Sequence, residues 1–326
     1  MSTATETTLE AIEERKQRRI SIFLSRLARE KPLGLVGMIL VLVMLITGIF
    51  ADWLAPYGMN ELHMTDRLAL PGGQYALGTD NLGRDLLSRI IYGARVSIII
   101  GLSATTISSL VGAAIGLTSG YLGGKFDLIV QRFIDAFICF PMLILYLTLM
   151  AVIGAGYVQL ILVLGIGGGI SGSRGARSLA YWVKESVYFD AARTIGSSTR
   201  RVILYHLLPN VMPMLIIGFS MSVGGIILAE ASLSFLGFGL PAEVASWGGM
   251  LSGSNRVFME KAPWLVVWPG IALALAVYGL NMFGDAVRDL LDPRLRGGVG
   301  GLGQRGMQLA RKAMEKKQRK EAHTTR

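Results

Sequence analysis

Residues 136–173 read AFICFPMLILYLTLMAVIGAGYVQLILVLGIGGGISGS, without one charged side chain. A bilayer core about 30 Å thick is crossed by about 20 helical residues at about 1.5 Å each. The run is too long for one such crossing and nearly long enough for two. The glycines of "GAG" at 154–156 supply the obvious break. The stretch therefore reads as two spans, residues 128–153 and 157–172. Working outward, residues 96–124 form a second charge-free run. It predicts a span over 96–121, ended by the turn "YLGGKFD". Further apolar stretches predict spans over 34–54, 211–236 and 264–283. The expected fold is an all-α polytopic membrane protein with six transmembrane helices.

Composition agrees. Of 326 residues 52% are hydrophobic and only 17% charged, with a mean hydropathy of +0.51; soluble domains average about 25% charged. The lone Cys139 cannot form an intrachain disulfide, and three scattered histidines make no zinc cluster. The net charge of +10 is read as contact with the anionic lipid of the bilayer and as inward-facing loops, not as nucleic-acid binding. Gly112, Gly116 and Gly120 recur every four residues, so they share a helix face and allow a second backbone to approach closely.

Six spans put both termini on one side. Of the 32 lysines and arginines, 26 then fall on that side, which the positive-inside rule makes cytoplasmic. The long tails supply much of the excess. The tail ahead of the first span is polar, and no small-residue cleavage site follows that span, so it is expected to stay uncleaved. The resulting map is a basic cytoplasmic tail (1–33), a first span (34–54), an extracytoplasmic segment (55–95), a core (96–287) containing a polar cytoplasmic segment (184–209), and a basic cytoplasmic tail (288–326).

The polar segment is the informative one. "DAARTIGSSTRRVILYHLLP", residues 190–209, lies between two lipid-seeking runs. Val187, Ala191 and Ile195 fall on one helical ridge, Gly196 ends that helix, and Ser197 or Ser198 can cap a second helix that continues to Pro209. The alanines leave the first helix with little bulk, which suits docking against another surface. On the residues alone, a helix lying on lipid headgroups is an equal alternative.

Asp190-Ala191-Ala192, then Gly196, then Leu208-Pro209 resembles the EAA motif of ABC importer permeases in spacing. Asp190 stands where glutamate is usual, and His206 where an apolar residue is usual. "LGTDNLGRDLLSRIIYGARVS" (77–97), "RFIDAFICFP" (132–141), "AEASLSFLGFG" (229–239), "SWGGML" (246–251) and "GLNMFGDAVRDLLDPRLR" (279–296) are similar to the dipeptide/oligopeptide branch of that family. The resemblance covers residues 32–296. It implies a type I importer core made by spans 2 to 6, with the first span as an addition. It also implies a homologous second permease, two ABC ATPase subunits that use ATP and magnesium, and an extracytoplasmic solute-binding protein. The segment 188–198 would be the coupling helix that docks in an ATPase, with Asp190, Ala191, Ala192, Gly196, Leu208 and Pro209 as its marker residues.

Other candidates stand outside the motif. Arg132 and Asp135, three apart, read as an ion pair that orients the third span rather than as a cargo contact. Glu230 sits in a span whose neighbourhood is otherwise free of fixed charge; it is either a pathway residue or half of an ion pair to a neighbouring helix or subunit. Arg84, Asp85, Arg89 and Arg95 precede the second span on the outside, and would contact either the binding protein or the external vestibule.

No G-x4-G-K-[ST] motif is present, since Gly124-Lys125 is followed by Phe126, and the two G-x-G-x-x-G matches follow no strand. The chain is thus expected to be a non-catalytic permease subunit that binds no cofactor itself and moves dipeptides or oligopeptides by alternating access. The same importer class carrying nickel–chelate, glutathione or another peptide-like solute is the alternative cargo. A stand-alone secondary transporter is the alternative class, although no internal repeat supports it.

Overall fold

The computed structural model describes residue 27 and residues 29–185, 197–253 and 257–291. The described part is built from helices, with two isolated β-bridges, Gly72–Tyr75 and Thr79–Asp85. Helix α1 (Pro32–Ile49) is followed by a single-turn α2 (Ala51–Leu54). Helix α3 (Leu86–Leu122) is central. Then come α4 (Gly124–Ile138), α5 (Met142–Ile153), α6 (Tyr157–Lys184), α7 (Thr199–Phe235), the short α8 (Trp247–Met250) and α9 (Trp264–Leu291).

Four of these, α1, α3, α7 and α9, are long and apolar enough to cross a membrane alone, and α4 with α5 makes a fifth if the bent pair counts as one. Helix α6, with 28 residues, is long enough for a crossing but less apolar. Six spans are compatible with this set.

Helix α1 ends at Ile49 rather than at residue 54, and α9 runs to Leu291 rather than to residue 283; four further differences from the sequence expectation bear on the site. First, α3 begins at Leu86, not near residue 96. The Asp85 carboxylate caps it, accepting from Ser88 N at 2.8 Å and Ser88 Oγ at 2.6 Å. Arg89 and Arg95 therefore lie on the helix rather than before it. We expect Asp85→Ala to destabilise the chain by about 1–2 kcal/mol, measured by thermal unfolding in detergent; an unchanged transition would show that the cap contributes nothing. Second, the third expected span is broken: α4 and α5 meet at 83°. Pro141 starts the second piece with an extended backbone (φ −56°, ψ 120°). It has no N–H to continue the ladder, and its ring excludes the helical turn before it. Third, α6 runs on to Lys184, three turns past the expected end, because its Arg174 and Arg177 find acid partners in α4.

Fourth, Pro209 marks no break. The chain is helical from Thr199 to Phe235, and residues Val202–Leu207 are wound as a π-helix. The prolines at 209 and 213 cannot donate to the preceding turn, which fits the wider winding just before them; the Asn210 Nδ2 adds a side-chain bond to the His206 carbonyl at 2.7 Å. Ser198 holds the N-cap position in an extended conformation, with no side-chain cap bond.

Close packing is done by glycine. An added Cβ at Gly116 would overlap the Ser173 carbonyl oxygen and lie 2.7 Å from Ala176 Cβ; one at Gly120 would lie 2.8 Å from Ala180 Cβ. The repeat at 112, 116 and 120 is thus the face on which α3 meets α6. Helix α1 docks on α9 in the same way: an added Cβ at Gly37 would lie 2.7 Å from Phe283 N and 2.8 Å from the Gly279 carbonyl oxygen. A Lys31–Asp289 ion pair at 2.6 Å ties the two together, and the Asp289 carboxylate raises the Lys31 pKa above its ordinary value. The first span is therefore integral to the bundle.

Candidate functional site

The residues expected to meet an ATPase divide between two regions. Asp190, Ala191, Ala192 and Gly196 lie outside the described residues; Leu208 and Pro209 sit on α7 just past its π-helical stretch. What the structure shows is the base from which the segment leaves α6.

That base is a clamp of charged and hydroxyl groups. Asp127, in the first turn of α4, is buried. Its carboxylate accepts from Arg177 Nε at 2.6 Å, Arg177 Nη2 at 2.5 Å, the Tyr181 hydroxyl at 2.9 Å and the Ser119 hydroxyl. The Arg177 guanidinium lies 4.9 Å from the Tyr181 ring centre, so the ring holds the fork in plane. One turn further, Lys184 Nζ donates to the Tyr121 carbonyl at 2.8 Å. A cation there meets the carbonyl-rich C-terminal end of α3. Two positive-φ glycines, Gly123 at 65° and Gly124 at 56°, then make the turn that brings Asp127 back toward α6. Three helices are fixed to one another at the point where the polar segment begins.

Asp135, two turns along α4 from Asp127, pairs with Arg174 of α6 as well as with Arg132 at 3.8 Å. The i,i+3 pair expected from sequence is present, but the partner that joins two helices is Arg174. Sequence reading missed Asp127, Ser119, Arg174, Arg177 and Tyr181. The available signal was the Arg174/Arg177 pair one turn apart immediately after the longest charge-free run, which served only as a topology count.

At the opposite end of α7, Glu230 is buried, 1% exposed. The Ser234 hydroxyl donates to it at 2.7 Å, and Ser246 is its second hydrogen-bond partner. Among the described residues no cation pairs with Glu230, so hydroxyls replace the ion pair expected to a neighbouring helix. The same end holds the other candidates. Arg84 Nε pairs with Asp80 at 2.6 Å. Arg89 Nη1 donates to the Met59 carbonyl at 3.2 Å and to Asn60 Oδ1 at 3.0 Å. Arg95 Nη2 pairs with Asp52 at 2.8 Å, and its Nε donates to the Gly48 carbonyl at 2.9 Å. The Arg95 guanidinium holds the Asp52 carboxyl below its ordinary pKa. Between residues 55 and 85, Tyr75 is packed on Tyr57 and His63. Burial and the Asp66 carboxylate push its phenol up to about 12, so it stays a neutral donor to Asp66. Asp85 and the three arginines thus pin the connection between α1 and α3 to the helices.

Between α3, α6 and α7 lies a cavity of about 380 Å³, lined by Ser108, Ser109, Gly112, Gly172, Gly175, Gly218, Ser222 and others, with Arg288 of α9 at its edge. An added Cβ at Gly172, Gly175 or Gly218 would meet nothing within 4 Å. These glycines, unlike Gly116, are not required by packing within the chain.

The sequence matches known proteins along most of the chain. Residues 112–297 match the model of the binding-protein-dependent transport system inner membrane component, and residues 23–71 that of the N-terminal transmembrane domain of oligopeptide transport permease C. A probable D,D-dipeptide transport system permease protein of Escherichia coli is 36% identical over 266 residues, which is 82% of this chain and 89% of the relative. A dipeptide transport system permease protein of Alkalihalophilus pseudofirmus is 35% identical over 268 residues, 82% and 88% of the two chains. An oligopeptide transport system permease protein of Bacillus subtilis is 34% identical, also with 82% and 88% covered. On this similarity and its bundle of apolar helices, the chain is a multi-pass membrane protein that belongs to the family of binding-protein-dependent transport system inner membrane components.

Proposed function

We propose that this chain is the permease subunit of an ATP-driven importer of dipeptides or oligopeptides. The observation that carries the reading is near full-length similarity to permeases named for dipeptide and oligopeptide transport. The chain performs no covalent chemistry. It crosses the cytoplasmic membrane six times with both termini inside, pairs with a homologous permease, and takes cargo from an extracytoplasmic binding protein. Two ATPase subunits hydrolyse ATP with magnesium and engage the segment around Asp190, Ala191, Ala192 and Gly196.

The physical logic is leverage. Closure of the ATPases displaces a short helix, and the Asp127–Arg177 clamp passes that displacement to α3, α4 and α6 together. The continuous α7 carries it from Leu208 and Pro209 toward Glu230. The small, hydroxyl-lined faces around Ser108, Gly172 and Gly218 suit a path that must pass polar peptide backbone.

In proteoliposomes holding the whole importer, a Gly196→Trp variant is expected to retain ATP hydrolysis while uptake of labelled dialanine falls at least about tenfold, one decade of rate being about 1.4 kcal/mol of barrier. Undiminished uptake by that variant, or uptake that persists without the ATPases, would defeat the coupling assignment.

A further inference from the structure

A second cavity, of about 340 Å³, opens at the Arg89 end of the bundle, the extracytoplasmic end in the reading above. Arg84 and Arg89 line it together with Ser234, Ser246, Ala242 and Gly253. Arg89 is 5% exposed. Its Nη1 serves the Met59 carbonyl and Asn60 Oδ1, both neutral, and its other three N–H groups have no partner among the described residues. Arg84 commits only Nε, to Asp80.

The buried carboxylates nearby are bonded to other donors, and Glu243, between the lining residues Ala242 and Val244, is exposed. Asp80 accepts from Leu82 N, Arg84 N and Arg84 Nε, and Asp85 accepts from Ser88. Glu230 is buried behind Ser234 and Ser246, whose side chains are its partners. The cavity therefore presents three unpartnered N–H groups on a largely desolvated guanidinium. Buried donors without an acceptor are costly, and the planar fork of a guanidinium matches a carboxylate.

We infer that this cavity is a carboxylate-binding subsite, in which Arg89 and Arg84 hold the carboxylate of a peptide cargo as it enters the pathway. The cargo part rests on the permease reading above, while the carboxylate chemistry rests on the cavity alone. Ala242 is exposed on the cavity wall, so a side chain added there enters the site without disturbing a packed group.

The test uses the full-length chain in lipid nanodiscs and saturation-transfer NMR with N-acetylalanine and its neutral amide. The acid should give a signal about tenfold above the amide, the usual effect of one charge-assisted contact. Ala242→Glu, which supplies an internal carboxylate, should reduce it to the amide level, and Ala242→Gln should not. A second arm measures affinity for the cognate extracytoplasmic binding protein. If the small acid gives no signal but Ala242→Glu alone weakens that affinity about tenfold, the carboxylate comes from the binding protein, and the subsite stands with that source. Equal signals from acid and amide, an acid signal that Ala242→Glu leaves intact, or equal behaviour of the two variants in both arms overturns the inference. A failure of the importer to transport dialanine would sink the peptide reading without altering these binding readouts.

Discussion

Arg177→Ala is expected to destabilise the chain by on the order of 3 kcal/mol, the usual effect of stranding one half of a buried ion pair. The Asp127 side chain is 8% exposed and that of Arg177 31%, so water entering the vacated space recovers only part of the lost bonds, which puts the loss at the low end for a buried pair. The two short bonds from Arg177 would vanish, leaving Ser119 and Tyr181 to support a full negative charge. Unfolding in SDS followed by circular dichroism measures the loss. A double variant, Asp127→Asn with Arg177→Gln, strands no charge and should recover more than half of it. Because Lys184 and the polar segment lie within two to three turns of Arg177, the single variant should also lose ATP-coupled uptake, and the double variant should regain part. A single variant as stable as the parent would show that the clamp holds nothing.

The clamp also marks how far the sequence can be read. The apolar spans were legible because charge-free length is a local property, and a run such as residues 136–173 admits few alternatives. The ends were not, because they depend on partners distant in sequence. Helix α3 extends past its apolar part since Arg89 and Arg95 find carbonyls and a carboxylate around residues 48–60. Helix α6 extends because Arg177 meets an acid 50 residues earlier. Proline was ambiguous for a related reason. Pro213 and Pro269 lie inside continuous helices, while Pro141 separates two helices meeting at 83°; residue type alone does not distinguish the cases. For Glu230, the need of a buried acid for a partner was legible. That hydroxyls one turn away and in the α7–α8 loop would serve was not. The marker residues around Asp190 were read from spacing, and Asp190, Ala191, Ala192 and Gly196 lie outside the described residues.

Gly116→Leu should be of comparable effect, about 1–3 kcal/mol or more, because overpacking a rigid contact forces backbones apart. Even the first added carbon overlaps the Ser173 carbonyl oxygen and lies 2.8 Å from Arg177 N, so the strain falls on backbone that no rotamer change can relieve. Gly172→Leu is the matched control: it lies in the same helix pair, but an added Cβ there meets nothing within 4 Å, and its transition should stay within about 0.5 kcal/mol of the parent. Equal losses from the two substitutions would mean that leucine harms these helices through general effects, not through the α3–α6 contact. The position also couples to the clamp. Ser173, Ala176 and Arg177 are consecutive contacts on α6, so pushing α6 off Gly116 moves the Arg177 fork relative to Asp127. Gly116→Leu and Arg177→Ala should then combine less than additively, with a coupling of about 0.5–3 kcal/mol in a double-mutant cycle. Strict additivity would indicate that the glycine contact and the ion clamp hold the same helices independently, and that displacement of one end of α6 is not transmitted along it.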